Sequence, residues 1–395
     1  MLEMTSITDL DRDALPALVA HTDRLGVLSI YVDADPAEQS TNNTTWAVEV
    51  RSALDALVER LRDEGPRETW VAVRDALADL EGEIADLVSP RTRGRGRVMF
   101  IAVESGVVWR WSFQLPVQSA VVFEPRPFVS PLVSLLEQAG PVGVVMAHRD
   151  GLRLAEIHFG EATDIATLDF SAAQDDWREM KGPANANPAV AQQAAPQRDR
   201  FERRLDEHRA RFLVDAAQRV GDEARTRGWR AVVMAGDARY TAPVESALPA
   251  DLTPTVVRVD ALLEGMPARE LVDACDPALE QVAARARAEL LERAVDAAAA
   301  GGRGAVGPAH VTRALNEGRV ATLLIADGLQ LSGCVADDGA LMAATDDEPT
   351  PAGERDDRFA ERLIERAVGT SAEVVTIGGG DPNAPPGGVA AILRW

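Results

Sequence analysis

His310-Val-Thr-Arg-Ala-Leu-Asn-Glu-Gly-Arg-Val-Ala-Thr-Leu-Leu-Ile325 decides the fold class. It reads as a helix over 310–317 that runs into a strand over 321–326, a step from helical to extended patterning. A helix over 358–368 follows, then strands over 373–377 and 389–394, and these elements alternate as in an α/β layer. Upstream lies a long helical stretch over 269–300, rich in Ala, Leu, Glu and Arg. Pro277 is expected to interrupt it and Gly301-Gly-Arg-Gly304 to stop it.

Further upstream, Gly143-Val-Val-Met-Ala147 and Leu152-Arg-Leu-Ala-Glu-Ile-His158 flank His148-Arg-Asp-Gly151. Asp-Gly between two apolar runs is a hairpin signal. A helix around 128–138 precedes the hairpin. From 175 to 197 periodicity disappears, so a long polar loop is expected there; loops beyond ~12 to 15 residues in compact domains tend to carry function. An arginine-bearing helix with Phe201, Leu205, Phe212, Leu213 and Val220 inward comes next, followed by strand 231–235, a short helix and strand 256–260.

The first segment opens with a helix over 11–22 and the β-branched run Leu25-Gly-Val-Leu-Ser-Ile-Tyr-Val-Asp33. Trp46, Val50, Leu54, Leu57 and Leu61 mark one amphipathic helix. Val73, Leu77, Leu80, Ile84 and Leu87 mark another, and strands over 97–103 and 107–113 follow. Asn42-Asn-Thr-Thr45 reads as a helix N-cap. The resulting expectation is an α/β protein of three domains, 1–125, 126–262 and 263–395, with the long polar loop and the Arg-rich helix in the second.

Composition narrows the function. The chain has 395 residues, 46% hydrophobic and 26% charged, which excludes wholesale disorder. No run reaches the ~18 to 20 apolar residues that span a bilayer, and no secretory leader is evident at Met1, so a cytoplasmic protein without membrane contact is expected. Two cysteines and five histidines supply neither a disulfide scaffold nor a zinc ligand set, and no metal or cofactor is expected. The 41 basic and 63 acidic side chains give a net charge of −22. By segment the balance is −9 over 1–125, −3 over 126–262 and −10 over 263–395. An anion as strong as this is repelled by nucleic acid unless its cations are segregated, and the middle segment is where they gather.

Several stretches resemble the archaeo-eukaryotic peptide release factor and Pelota superfamily. His310–Ile325 is similar to that family's helix leading into an "ALxxGAVxxLLI" strand, and Gly387-Gly-Val-Ala-Ala-Ile-Leu-Arg394 to its "GGIxAxLRY" terminal strand. The middle segment shares the plan of hairpin, loop, arginine-bearing helix, strand, helix, strand. The resemblance covers roughly 126–395 and points to the bacterial branch that includes the Balon-like hibernation factors. It implies a three-domain release-factor/Pelota-like architecture with mixed sheets in the middle and C-terminal domains. It also implies binding in the ribosomal A site, with the C-terminal domain meeting a translational GTPase. Release factors of the family carry Gly-Gly-Gln in the middle-domain loop, where the glycines permit unusual backbone geometry. Here the glutamines are Gln192, Gln193 and Gln197, and none follows a glycine pair. If the chain were a hydrolase, one of these three would position water; without the triplet, no catalytic residue is assigned.

Two basic clusters are candidate contacts for ribosomal RNA, because guanidinium forks match phosphate. One runs through Arg178, Lys181, Arg198, Arg200, Arg203, Arg204, Arg209 and Arg211, eight basic side chains against five acidic between 178 and 211. The plainer reading is a solvated helix with i, i+4 pairs such as Asp199 with Arg203 and Glu207 with Arg211. The other cluster is Arg91, Arg93, Arg95 and Arg97; its plainer reading is a set of cations at a helix C-terminus. Gly378–Gly388 lacks the Lys-Ser/Thr of a P-loop and reads as a plain loop. His148 and His158 read as hairpin residues.

Three functions stay open. The first is a ribosome-associated A-site factor for hibernation or stress, without peptide release. The second is a peptidyl-tRNA hydrolase in ribosome rescue. The third is a stress protein that keeps the fold without the ribosome.

Overall fold

The computed structural model describes residues 5–6, 14–35, 45–171, 188–249, 255–344, 355–378 and 384–395. The N-terminal part comprises β1 (Thr5–Ser6), α1 (Ala14–Ala20), β2 (Val27–Asp33), α2 (Thr45–Glu64), α3 (Arg67–Asp79), α4 (Glu81–Val88), β3 (Gly96–Ala102), β4 (Val108–Phe113), β5 (Ala120–Glu124) and α5 (Ser130–Gln138). Its sheet has the order β1-β4-β3-β2-β5, antiparallel except for the β1–β4 pair. β2 is buried on both faces, which is why it reads as an unbroken apolar run. One face carries Leu28, Ile30, Met99 and Ile101 beneath Trp46, Val50, Leu54 and Leu57 of α2. The helix read through Val73 to Leu87 is two helices, broken at Leu80, which leaves helical geometry (φ −105°, ψ 17°). On the other face Tyr31 is fully buried, and its hydroxyl donates to the Phe128 carbonyl at 2.6 Å.

The middle part comprises β6 (Val142–His148), β7 (Gly151–His158), β8 (Glu161–Asp169), α6 (Pro188–Arg227), β9 (Ala231–Ala235), α7 (Ala238–Ser246), β10 (Thr255–Val259) and α8 (Ala268–Ala299). The sheet order is β10-β9-β6-β7-β8, with β6, β9 and β10 mutually parallel and β7 and β8 antiparallel. The Asp150-Gly151 hairpin is present, closed by the pair His148–Gly151. Gly151 has φ 152°, and a Cβ there would lie 2.1 Å from the Leu168 carbonyl oxygen, so the third strand requires a glycine at this turn. Leu213, Ala216, Ala217 and Val220 of α6 join Val244 of α7 over Val145, Leu152, Leu154, Val232 and Met234. Leu271 and Cys275 of α8 cover the opposite face, against Val144, Met146 and Val233.

Two expectations are corrected here. The polar loop does not extend to 197: α6 begins at Pro188, so 188–197 is helical backbone. Proline at a helix start and an alanine-rich run that forms helix without an apolar stripe explain why a reading based on periodicity ends the loop too late. Pro277 does not interrupt the later helix either. α8 runs through it as one 32-residue element whose first turns are anchored in the middle core.

The C-terminal part comprises β11 (Gly304–Val306), α9 (Pro308–Asn316), β12 (Val320–Ala326), β13 (Gly333–Val335), β14 (Leu341–Ala343), α10 (Phe359–Gly369), β15 (Glu373–Ile377) and β16 (Val389–Leu393). Its main sheet has the mixed order β11-β16-β12-β15, with β12 parallel to β15 and antiparallel to β16. The two stretches that carry the family resemblance are therefore neighbours, Leu323 facing Ala391 and Leu324 facing Ala390. Leu291 and Ala294, from the second half of α8, close this core against Leu324, Val375 and Ala390. By contacts the chain forms two compact units, Gly140–Ala283 and Met1–Ala139 with Ala284–Trp395. No helix among the described residues is long and apolar enough to cross a membrane.

Candidate nucleic-acid interface

The cluster after α4 separates into two pairs. Arg97 is 2% exposed, and its guanidinium donates to the carbonyls of Leu87 (2.6 Å), Ser89 (2.7 Å), Thr92 (2.7 Å) and Gly94 (3.0 Å). It closes the C-terminus of α4, whose last carbonyls lack helical partners. Burial lowers the pKa of this guanidinium. Arg95 spans Asp33 (2.9 Å) and Asp35 (3.0 Å) at the end of β2. The expectation that all four arginines contact RNA is therefore corrected for Arg97 and Arg95, whose donors are engaged inside the domain. Arg91 and Arg93 are exposed.

In the second cluster, Arg178 and Lys181 lie outside the described residues. Arg198 and Arg200 lie on the α6 backbone, as do Gln192, Gln193 and Gln197. Arg203, Arg204 and Arg211 are exposed. At 3.6 residues per turn, positions 200, 203, 204, 207 and 211 share one helix face, and four of these five positions are arginine. Arg209, Leu213, Ala216 and Val220 occupy the opposite, buried face. Glu207 and Arg211, both exposed, form no ion pair with each other.

Arg209 departs from the rest of its cluster. It is 6% exposed, donates from Nε to the Arg149 carbonyl (2.7 Å) and from Nη1 to Asp206 (2.7 Å), and lies over the rings of Phe170 (5.2 Å) and Tyr240 (5.9 Å). Its four-residue step to Leu213 was the signal that it belongs to the apolar face. By gripping the carbonyl of Arg149 it fixes the turn of the β6–β7 hairpin, with the Arg149 side chain exposed. Sequence reasoning passed over Arg149 and Arg239, which lie after the carboxyl ends of the parallel strands β6 and β9, the end where open α/β sheets bind ligands. Arg239 is paired with Asp237 (2.7 Å), and that guanidinium holds the Asp237 carboxyl down at about 2. Arg149 thus adds to the exposed cations of this unit, while Arg239 is largely neutralised locally.

The fold is that of a multi-domain mixed α/β protein whose middle unit presents a long helix with an arginine face. Residues 127–298 match the family model of bacterial archaeo-eukaryotic release factor family 10, a little under half of the chain, with the whole of α6 inside the match. Over this segment the chain is similar to that bacterial branch of the archaeo-eukaryotic release factors. It is similar to the uncharacterized protein YocB of Bacillus subtilis (strain 168), 18% identical over 212 residues that span 53% of this chain and 77% of that one. Among solved structures it is similar to the archaeal translation termination factor aRF1, with 18% identity, 99% of each chain covered and a TM-score of 0.26. It is also similar to Archaeoglobus fulgidus Pelota, with 14% identity, 76% of this chain and 79% of that one covered, and a TM-score of 0.32. For Saccharomyces cerevisiae Dom34 the figures are 8% identity, 76% and 80% coverage, and a TM-score of 0.39.

Proposed function

We propose that this protein is a cytoplasmic ribosome-associated factor that occupies a vacant A site, as in hibernation or stress, and does not release peptide. The observation that carries the reading is the backbone around the glutamines. Gln192, Gln193 and Gln197 all lie within α6, where the peptide groups follow a helical path. A glutamine that positions water needs a loop with freer dihedrals, and a helix does not supply them. The arginine face of the same helix supports contact with ribosomal RNA through Arg200, Arg203 and Arg204, together with Arg198, Arg178 and Lys181, whose side chains carry the same charge. In the cluster after α4, Arg91 and Arg93 are the exposed cations proposed for such contact. Residues 263–395, with a balance of −10, are proposed to meet a protein such as a translational GTPase rather than RNA.

The test is to sediment the protein with purified ribosomes and to assay the bound fraction for release of nascent peptide from peptidyl-tRNA. Binding that weakens steeply with salt, without release above background, is the expected result. Release that disappears in Gln192→Ala, Gln193→Ala or Gln197→Ala would replace this reading with a peptidyl-tRNA hydrolase. Absence of binding at low salt would leave a stress protein that keeps only the fold.

A further inference from the structure

A second set of charges, remote from the arginine face, lies where the segment between β5 and α5 rests on α10. Glu361 is 2% exposed and receives the N–H groups of Val129 (2.6 Å) and Ser130 (3.3 Å) on Oε1. Its Oε2 meets the Ser130 hydroxyl. A carboxylate from α10 thus caps the start of α5, more than 230 positions away in sequence. One turn along, Glu365 is 4% exposed and bonds Arg126 (3.1 Å) and Arg362. Arg362 also reaches Glu124 and Asp356, the latter at 2.9 Å, and Arg358 reaches Glu124 at 2.9 Å. Three of the four carboxylates therefore share three guanidiniums. Glu124, Glu365 and Asp356 each have a cationic partner, and Glu361, the most buried, has only neutral donors.

The other groups on the packed elements do not alter this asymmetry. Tyr31 of β2 uses its hydroxyl on the Phe128 carbonyl (2.6 Å). His21, at the end of α1, meets Trp109 edge-on at 4.9 Å. The geometry also accommodates a proton: on Oε2 it would donate to the Ser130 hydroxyl, while Oε1 keeps both backbone donors.

We propose that Glu361 is a proton-operated latch, with the protonated joint between α10 and the start of α5 closed and the ionised joint tending to open. Burial pushes the Glu361 carboxyl up to about 7, against the donations of Ser130 and Val129 and with the like charges of Glu365 and Glu124 adding to the rise. Burial lifts Glu365 as well, opposed by Arg362 and Arg126. Burial disfavours the ion far more in the closed joint than in an open one, where a glutamate titrates near ~4.3. Because the closed-state value is raised, the contribution to closure is complete below the open-state value and is lost as pH rises through about 7. Between pH 6 and pH 8 the opening equilibrium should rise about tenfold.

Amide hydrogen exchange on the full chain reads this directly, with the intrinsic chemical rate divided out at each pH. In the wild type the opening constants of amides in 126–134 and 359–366 should be about tenfold larger at pH 8 than at pH 6. In Glu361→Gln the ratio should fall below about twofold, and in His21→Phe it should stay at the wild-type value. A wild-type ratio near one, a slope that persists in Glu361→Gln, or a slope lost in His21→Phe would each overturn the proposal. Should Glu361→Gln fail to fold, carboxyl-carbon NMR of the wild type decides: one glutamate titrating between pH 6 and 8 is expected. If every carboxyl titrates below pH 6, the proposal fails.

Discussion

The arginines after α4 and those on α6 look alike in sequence and serve different ends. In the first group, Arg97 is enclosed by four backbone carbonyls and Arg95 by two aspartates, so half of the apparent cation density is consumed by the domain itself. In the second, Arg203, Arg204 and Arg211 stand exposed on one face while Arg209, among the described members, turns inward. Charge counted along a chain is therefore not charge available to a partner. What separates the two is the supply of acceptors: a helix end followed by a tight loop offers bare carbonyls, and the outer face of a long helix offers none.

The contrast is broken most severely at Arg97. Arg97→Ala should strip donors from four carbonyls and destabilise the protein by about 3 kcal/mol, whereas Arg91→Ala should change stability by less than about 0.5 kcal/mol. Urea unfolding measures both, and equal losses would erase the distinction between buried and exposed members of the cluster. Arg209→Ala comes next, with about 2 kcal/mol lost along with its two hydrogen bonds and its contacts to Phe170 and Tyr240. A loss below about 0.5 kcal/mol would return Arg209 to the exposed set. The smallest effect belongs to the exposed face. Arg203→Glu with Arg204→Glu should weaken ribosome binding about tenfold and reduce its salt dependence, with the unfolding midpoint unchanged. Binding that stays constant across a salt titration would show that the face is only solvated.

Much of the architecture could be read from residue patterns because its cores impose strong periodicity. The β6–β7 hairpin follows from Asp150-Gly151, and the α9–β12 step from Val311, Leu315 and the run through Ile325. What escaped has physical causes. β8 is an edge strand with Glu161, Asp164 and Asp169 along it and little apolar alternation, so nothing in its sequence announces pairing. The start of α6 is alanine-rich and its sequence lacks a periodic apolar stripe, so it resembled loop. In the interface the individual fates of Arg95, Arg97 and Arg209 depended on distant acceptors, the Leu87 and Arg149 carbonyls and Asp33 among them, which composition does not reveal.

Glu137 carries a consequence for how this chain can be cut and made. On β15, the outermost strand of the C-terminal sheet, the Thr376 N–H and hydroxyl both donate to the Glu137 carboxylate, at 2.7 and 2.9 Å and a separation of 239 positions. α5 thereby covers an edge that would otherwise be open to strand recruitment. During synthesis the guard emerges long before the strand it shields, so β15 is protected as soon as it forms. A fragment beginning at residue 263 would carry the strand without the guard. Its exposed edge would invite pairing with a second copy, making self-association the characteristic failure of a truncation that respects every element boundary in the last third.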